Sequence, residues 1–323
     1  MKVLVTGIDG FVGSHAAEYL LGLGGIELHG THMPGQTTAN IGHIRSRLTL
    51  HETDIVDAAE VRKIFARVRP ERVVHLAGQA FVPAALRDPF GTFNVNIMGG
   101  VAVLEAARRQ AEETGTGPAV LCVSSGEVYG KLHGQPITED SPVNPENPYA
   151  ASKASVDLIA QEYRRAFGVR ASVVRPFNHA GPRQSPVFVA SDFGRQFALI
   201  AGGKQEPVIR AGNLDARRDF TDVRDVVRAY WAILSHTSSH TVFNLCSGHV
   251  VAIRDLIEIY QRVAGLRVSV VSETARARGG DSPLIAGSYE RLRAATGWEP
   301  AIPLEKTLAD VFAYWTAELG SGE

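Results

Sequence analysis

The strongest constraint on the fold lies in the first thirteen positions. An apolar run, Lys2 to Thr6, passes directly into Gly7-Ile8-Asp9-Gly10-Phe11-Val12-Gly13, and an amphipathic stretch over 11–23 follows. This order predicts a strand, a tight turn and a helix. Glycine allows the turn and lets a bound group approach the backbone. The unpaired N–H groups of the first helical turn then face an anion such as a pyrophosphate. The spacing is GxxGxxG rather than GxGxxG, and its place between strand and helix is the context a dinucleotide-binding turn requires.

The first half of the chain repeats this alternation. Short apolar runs at 2–6, 26–31, 48–51, 72–77, 119–124 and 171–175 read as strands. Amphipathic stretches at 11–23, 57–68, 92–114 and 149–167 read as helices. Strand–helix alternation predicts βαβ units, and hence an α/β fold of the Rossmann type: a doubly wound parallel sheet covered on both faces. Strands buried on both sides are expected to show continuous apolar runs rather than strict alternation.

After about residue 176 the pattern changes. Pro, Gly, Asn and Arg become frequent in 176–188 and 202–220. Helical stretches at 191–202, 223–235 and 252–264 alternate with short strands at 207–211, 242–245 and 267–271. The expected organisation is a nucleotide-binding domain over 1–176 and a smaller α/β substrate lobe over 177–323, with some crossing of the chain between them. The last residues, 317–323, read as a frayed tail.

Composition excludes several classes. A net charge of -1 offers nothing to nucleic acid or to an anionic membrane. No apolar run approaches the roughly 18 residues of a membrane span. The opening residues read as a strand and not as a signal peptide, so cytoplasmic residence is the default expectation. Cys122 and Cys246 lie in apolar strand-like runs and are expected to be buried thiols. Without CxxC or HExxH spacing, no metal site is expected.

An acidic residue at the end of the second strand would bind ribose hydroxyls and favour NAD. Here the strand ends Leu28-His29-Gly30-Thr31-His32, and Glu27 falls too early. Thr31 and His32 at that end suit a 2′-phosphate, which favours NADP, with NAD as the alternative. Asp54-Ile55, after the third strand, is expected at the adenine: a carboxylate accepts from its amino group while Ile covers a ring face.

Tyr149-Ala150-Ala151-Ser152-Lys153 places a phenol and an ammonium four residues apart, on one face of a helix. A free tyrosine titrates near 10, too high for a good proton donor-acceptor at neutral pH. A neighbouring ammonium favours the phenolate and lowers that value. The pair then serves as general acid or base on a carbonyl or alcohol.

With these residues in place the chain resembles the extended short-chain dehydrogenase/reductases, the sugar-nucleotide epimerases, dehydratases and reductases, over nearly its whole length. The resemblance rests on the GxxGxxG turn, His75-Leu76-Ala77-Gly78, Asn96, Ser124-Ser125-Gly126-Glu127-Val128-Tyr129-Gly130, Pro148-Tyr149-xxx-Lys153 and Arg175-Pro176-Phe177-Asn178. It implies that Tyr149 is the catalytic acid/base, that Lys153 binds the nicotinamide ribose and tunes Tyr149, and that Ser125 hydrogen-bonds the reacting oxygen. Gly7, Gly10, Phe11, Val12, Gly13, Thr31, His32, Asp54, Ile55, Leu76, Ala77, Gly78, Asn96, Val123, Pro176 and Asn178 would line the cofactor with Tyr149 and Lys153. Gly78 stands where the second Ala is usual.

Two subfamilies compete. The stretch 177–184, Phe188-Val189, Ser191-Asp192-Phe193, the segment 212–226, Asn244-Leu245-Cys246-Ser247-Gly248 and Thr296-Gly297-Trp298 are similar to GDP-4-keto-6-deoxy-mannose reductases. The GDP-mannose 4,6-dehydratases share much of this, including a carboxylate at Glu127, which a dehydratase uses to take a proton. The loop over 33–47 lacks the Arg- and Ser-rich insertion typical of the dehydratases, and the chain is shorter than theirs. Both favour the reductase. The resemblance implies that Ser125, Asn178, Val189, Arg218 and Arg278 bind a nucleoside-diphosphate sugar, GDP-linked, with the arginines on its diphosphate. Arg183 departs from the Gly expected in a GPGQ-like turn, and Arg276-Ala277-Arg278-Gly279-Gly280-Asp281 lacks the usual Pro; both lie where the nucleotide half is expected. The expected reaction is NAD(P)H-dependent reduction of GDP-4-keto-6-deoxy-D-mannose to GDP-D-rhamnose. The alternatives are a dehydratase or epimerase of the same family and, more remotely, a non-catalytic dinucleotide-binding protein. Similar proteins form homodimers through a four-helix bundle, which here would use helices 92–114 and 149–167.

Overall fold

Along the first strand the side chains alternate between two cores: Val3 and Val5 pack into one apolar cluster and Leu4 into the other. That is the period-2 consequence of a strand covered on both faces. The computed structural model describes residues 1–131, 136–273 and 284–320.

The strands are β1 (Lys2–Thr6), β2 (Glu27–His32), β3 (Thr49–Glu52), β4 (Arg72–His75), β5 (Ala119–Val123), β6 (Arg170–Pro176), β7 (Asn178–Ala180), β8 (Val208–Ala211), β9 (Arg217–Asp222), β10 (Val242–Leu245), β11 (Val250–Ala252), β12 (Ser269–Ser272) and β13 (Leu284–Ile285). The helices are α1 (Phe11–Leu23), α2 (Ala58–Val68), α3 (Val82–Arg87), α4 (Pro89–Phe93), α5 (Gly99–Thr114), α6 (Pro148–Phe167), α7 (Val189–Ala201), α8 (Val223–Ser235), α9 (Ile253–Ala264), α10 (Glu290–Thr296) and α11 (Leu304–Gly320).

A parallel sheet of seven strands, ordered β3-β2-β1-β4-β5-β6-β10, forms the centre. The order reverses between β1 and β4, so the crevice at the carboxyl ends of these two strands is the topological switch point where such sheets bind ligands. Residues of α1, α8 and β10 join the core cluster on one face. Residues of α2, α5 and α6 join the cluster on the other. The chain is a Rossmann-type doubly wound α/β fold.

The chain crosses the expected boundary at residue 176 and then returns. β10 pairs with β6 in the central sheet, and α8 packs on α1. Before and after these passages, β7, β9, β11 and β13 form a small sheet, β8 pairs with β12, and a third core cluster gathers α7, α9 and α11. The tail expected to fray is helical as far as Gly320. Among the described residues no helix is long and apolar enough to cross a membrane. Cys122 and Cys246 are both buried free thiols.

Candidate active site

The glycine-rich turn is shaped by backbone proximity. Gly7 has φ +66°, a left-handed value that favours glycine. A Cβ on Gly13 would lie 2.2 Å from the Gly7 carbonyl oxygen, so only glycine lets α1 begin this close to β1. Thr6 ties the switch point together: its Oγ1 accepts from the N–H groups of Leu76 and Ala77, both at 3.1 Å, and bonds Nδ1 of His75 at 2.9 Å. His75 is buried, and burial pushes it down to about 3, so it stays neutral there.

At the end of β2 the two expected residues differ in position. Thr31 is buried, and its Oγ1 accepts from Gly7 N–H at 3.4 Å, so this hydroxyl braces the glycine turn. Nδ1 of His32 is a buried polar atom without a partner among the described residues. Such an atom is costly unless a ligand satisfies it. Asp54 uses Oδ1 to accept from Val56 N–H at 3.2 Å, while Ile55 is buried in the core and closes on Gly99.

The expected catalytic side chains converge at the carboxyl end of β5. Asn147 caps α6, its Oδ1 accepting from Ala150 N–H at 2.8 Å, and Pro148 opens the helix. Tyr149 therefore stands in the first turn with Lys153 one turn further on. Ser125 follows β5; its Oγ accepts from Glu127 N–H at 3.1 Å, and the hydroxyl lies near enough to the Tyr149 phenol to favour its ionised form. Glu127 lies beside both, its Oε2 accepting from Asn147 Nδ2 at 3.4 Å. Lys153 Nζ donates to the Val123 carbonyl oxygen at 2.9 Å.

The electrostatics differ from what the Tyr/Lys spacing predicts. Burial pushes Tyr149 up to about 12, and the nearby Glu127 carboxylate adds to this, while Ser125 opposes it. Burial pushes Lys153 down to about 8. The expected lowering of Tyr149 is absent because the phenolate is desolvated and the Lys153 ammonium is turned to Val123. In this state Tyr149 is a protonated phenol, a proton donor.

Asn96 supplies a link the spacing could not show. It sits in a π-helical turn, Asn94–Met98, at the head of α5. Such turns aim side chains that an α-helix would not. Its Oδ1 accepts from Gln79 N–H at 2.8 Å, and its Nδ2 donates to Gln79 O at 3.0 Å and to Ser152 Oγ at 2.8 Å. Asn96 thus staples the turn after β4 to the catalytic helix. A Cβ on Gly78 would lie 2.8 Å from Asn96 Oδ1, so the missing methyl at Gly78 fits this staple closely.

Behind the site, Tyr129 is fully buried, not catalytic: Arg175 Nη1 donates to its Oη at 2.8 Å and its Oη donates to Asn244 Oδ1 at 2.6 Å. Arg175 Nε in turn donates to Asp157 at 2.6 Å. This buried network holds the 126–129 turn that carries Glu127. Sequence reasoning assigned no role to Asp157, Gln79, Ser152 or Asn147; only the Asn147-Pro148 pair carried a signal, that of a helix start.

On the substrate side, Pro176 ends β6 and Asn178 opens β7. His179 stacks on Phe11 of α1, ring centres 5.9 Å apart, placing this loop over the start of the dinucleotide helix. Val189 opens α7. Arg218 is buried in β9, two residues before Phe220, which pairs with Asn178. Arg278 and the rest of 276–281 lie outside the described residues. The loop motif 244–248 is held by Asp219, whose carboxylate accepts from Ser247 N–H at 2.7 Å and Gly248 N–H at 2.8 Å. Arg183 does not extend toward the nucleotide half of a substrate: its guanidinium turns back to α1 and the 39–47 turn.

A glycine turn at the switch point of a parallel sheet, with Ser, Tyr and Lys at the adjoining strand end, defines the short-chain dehydrogenase/reductase class. The model of the family described as GDP-mannose 4,6 dehydratase matches residues 4–311, and the chain belongs to this family of NAD(P)-dependent sugar-nucleotide enzymes. It is 34% identical to the GDP-6-deoxy-D-mannose reductase of Pseudomonas aeruginosa over 98% of this chain and 98% of that protein. It is 31% identical to the GDP-mannose 4,6-dehydratase of Vibrio cholerae over 86% of this chain and 76% of that protein. Among solved structures it is similar to RMD from Pseudomonas aeruginosa complexed with NADPH, with TM-score 0.83, 33% identity and 98% and 99% of the two chains covered. It is also similar to the UDP-glucose 4-epimerase of Thermotoga maritima with UDP-glucose, with TM-score 0.88, 27% identity and 99% and 100% covered.

Proposed function

We propose that this chain reduces the C4 ketone of a nucleoside-diphosphate 4-keto-6-deoxy-hexose, specifically GDP-4-keto-6-deoxy-D-mannose to GDP-D-rhamnose, with NADPH as the reductant. The observation that carries the reading is the placement of Ser125 and Tyr149 side by side at the carboxyl end of β5: a buried hydroxyl beside a phenol that burial keeps protonated. Reduction of a ketone needs one oxygen held and one proton delivered, and these two groups converge to do so. Identity of 34% along nearly the full length of a GDP-6-deoxy-D-mannose reductase supports the same direction.

The residues present fit a dinucleotide. The closely packed glycine turn leaves the first N–H groups of α1 for a diphosphate, and the unpartnered His32 Nδ1 suits the adenosine end, where a 2′-phosphate would satisfy it. When bound, the reduced nicotinamide supplies hydride. Ser125 Oγ holds the ketone oxygen. Tyr149 Oη donates its proton to that oxygen as charge develops. Lys153, released from Val123, orients the ribose and supports the phenolate left behind. Asn178, Val189 and Arg218 bind the nucleotide-sugar, with Arg218 assigned to its diphosphate, a role the family resemblance extends to Arg278.

Glu127 favours a second reading. Its carboxylate stands near Tyr149, where a dehydratase would use it to remove a proton from the sugar. The two readings part on the fate of hydrogen: with reductant deuterated at the transferring position, the reductase leaves deuterium at C4 of a product two hydrogens heavier than the ketone. A product carrying no such label contradicts the reduction.

The protein would act as a homodimer. Leu86, Phe90, Met98 and Leu158 are exposed apolar side chains on α3, α4, the π-turn and α6, elements that pack on one another. A partner's α5 and α6 laid against α5 and α6 would cover them in a four-helix bundle. The reaction would take place in the cytoplasm, where reduced dinucleotides and nucleotide-sugars are found.

A further inference from the structure

Arg183 has φ +71°, and Arg69 is its only non-glycine companion at positive φ among the described residues. A non-glycine residue in this conformation persists where surrounding interactions over-determine it. For Arg69 the reason is local, since it terminates α2. At Arg183 the turn, where a Gly is expected, keeps this backbone, and both terminal nitrogens of the side chain are engaged. Nη1 and Nη2 donate to the two carboxylate oxygens of Glu18 at 2.5 and 2.8 Å, the two-pronged geometry that suits Arg. Nη2 also bonds Nδ1 of His15 at 2.9 Å, and Nη1 reaches the Asn40 carbonyl oxygen at 3.4 Å.

These partners lead to the dinucleotide turn. Asn40 Nδ2 donates to the carbonyl oxygen of Asp9, inside the glycine-rich segment, at 2.9 Å. Glu18 and His15 lie on α1, whose first residue, Phe11, stacks on His179. Burial, with the Arg183 charge beside it, pushes His15 down to about 4, so its ring is neutral. With Nδ1 accepting from Arg183, Nε2 carries the proton and donates to Pro182 O at 3.0 Å. The loop is stiff as well, because Gln184 Nε2 donates to His179 O at 2.8 Å and Ser191 Oγ to Gln184 O at 2.6 Å.

We propose that Arg183 is a positioning residue: through Glu18, His15 and Asn40 it clamps the glycine-rich turn and α1 to the 177–184 loop, fixing the dinucleotide half of the site relative to Asn178. This rests on the dinucleotide reading of the turn.

The test uses Arg183→Gly, which suits the left-handed backbone, and Glu18→Gln, which leaves that backbone untouched. In the ligand-free protein, hydrogen–deuterium exchange of the peptide spanning residues 7–18 rises in both variants. NADPH binding, measured directly by titration, weakens about ten-fold in each. The double variant is no worse than the worse single one, because both changes open the same clamp. KM for the dinucleotide rises while kcat at saturation changes little. Exchange and binding unchanged in both variants would overturn the clamp, as would fully additive losses. If the native protein binds neither NADPH nor NADH, the dinucleotide reading fails, and the exchange measurement alone then decides for or against the clamp.

Discussion

Lys153 donates its ammonium to the carbonyl oxygen of Val123, 2.9 Å away, and burial holds it down to about 8. Its folded-state value lies below the ordinary 10.5. Between these values the unfolded chain binds more protons, so stability rises with pH there, and the full cost of the buried charge is present below about 8. Lys153→Met is therefore expected to raise Tm at pH 7 by roughly 2 °C or more, with the advantage fading toward pH 10.5, while activity is lost. Calorimetry at the two pH values checks this. In the native enzyme kcat/KM is expected to fall as pH rises through about 8, as Lys153 loses its charge.

Removal of the phenol oxygen in Tyr149→Phe should lower kcat by about 10²–10⁴-fold. Ser125→Ala should lower it by about 10²-fold, as loss of one donor at the reacting oxygen does. Dinucleotide binding by titration should survive both changes. Loss of binding together with turnover would place these side chains in the cofactor's grip and not at the chemistry.

His32 Nδ1 is buried at the end of β2 without a partner among the described residues. His32→Asp would repel a 2′-phosphate and accept from a 2′-hydroxyl. The ratio of kcat/KM for NADH to that for NADPH is expected to rise roughly ten-fold or more. An unchanged ratio would remove His32 from cofactor selection.

Phe90 is 83% exposed on α4, beside α6. Phe90→Glu would set a charge in the proposed bundle. Light scattering is expected to show a dimer for the native protein and a monomer for the variant, with the melting curve of each protomer otherwise intact. A native monomer contradicts the bundle.

Much of the fold was legible because several parallel strands buried on both faces, such as Lys2–Thr6 and Ala119–Val123, are mainly apolar. The residues of α1, α8 and β10 match the expected ranges 11–23, 223–235 and 242–245, and the six expected strands of the first half begin and end within two residues of those in the structure. Other elements left no such trace. β9 reads Arg-Arg-Asp-Phe-Thr-Asp, yet it is buried because Asp219 caps the 247–248 turn and Asp222 accepts from Arg224 N–H and from Thr307 Oγ1. Hydrophobic periodicity cannot see a strand stabilised through its carboxylates. The expected helix over 92–114 divides into α4, the π-turn and α5, and the division is what aims Asn96.

The catalytic residues were legible as a set, whereas their charges were not. Spacing puts Tyr149 and Lys153 on one face but gives no measure of burial, and burial decides both values. Arg183 read as a departure in a substrate turn. Only its left-handed backbone and its contacts with α1 show that it faces the other way.

Cofactor stoichiometry tests the reduction most directly. GDP-mannose is first converted by a coupled dehydratase to the 4-keto-6-deoxy sugar, and NADPH absorbance is followed after this protein is added. One NADPH oxidised for each ketone consumed is the predicted result. Turnover of GDP-mannose by this protein alone, with no net change in the dinucleotide, would contradict the account and identify a dehydratase.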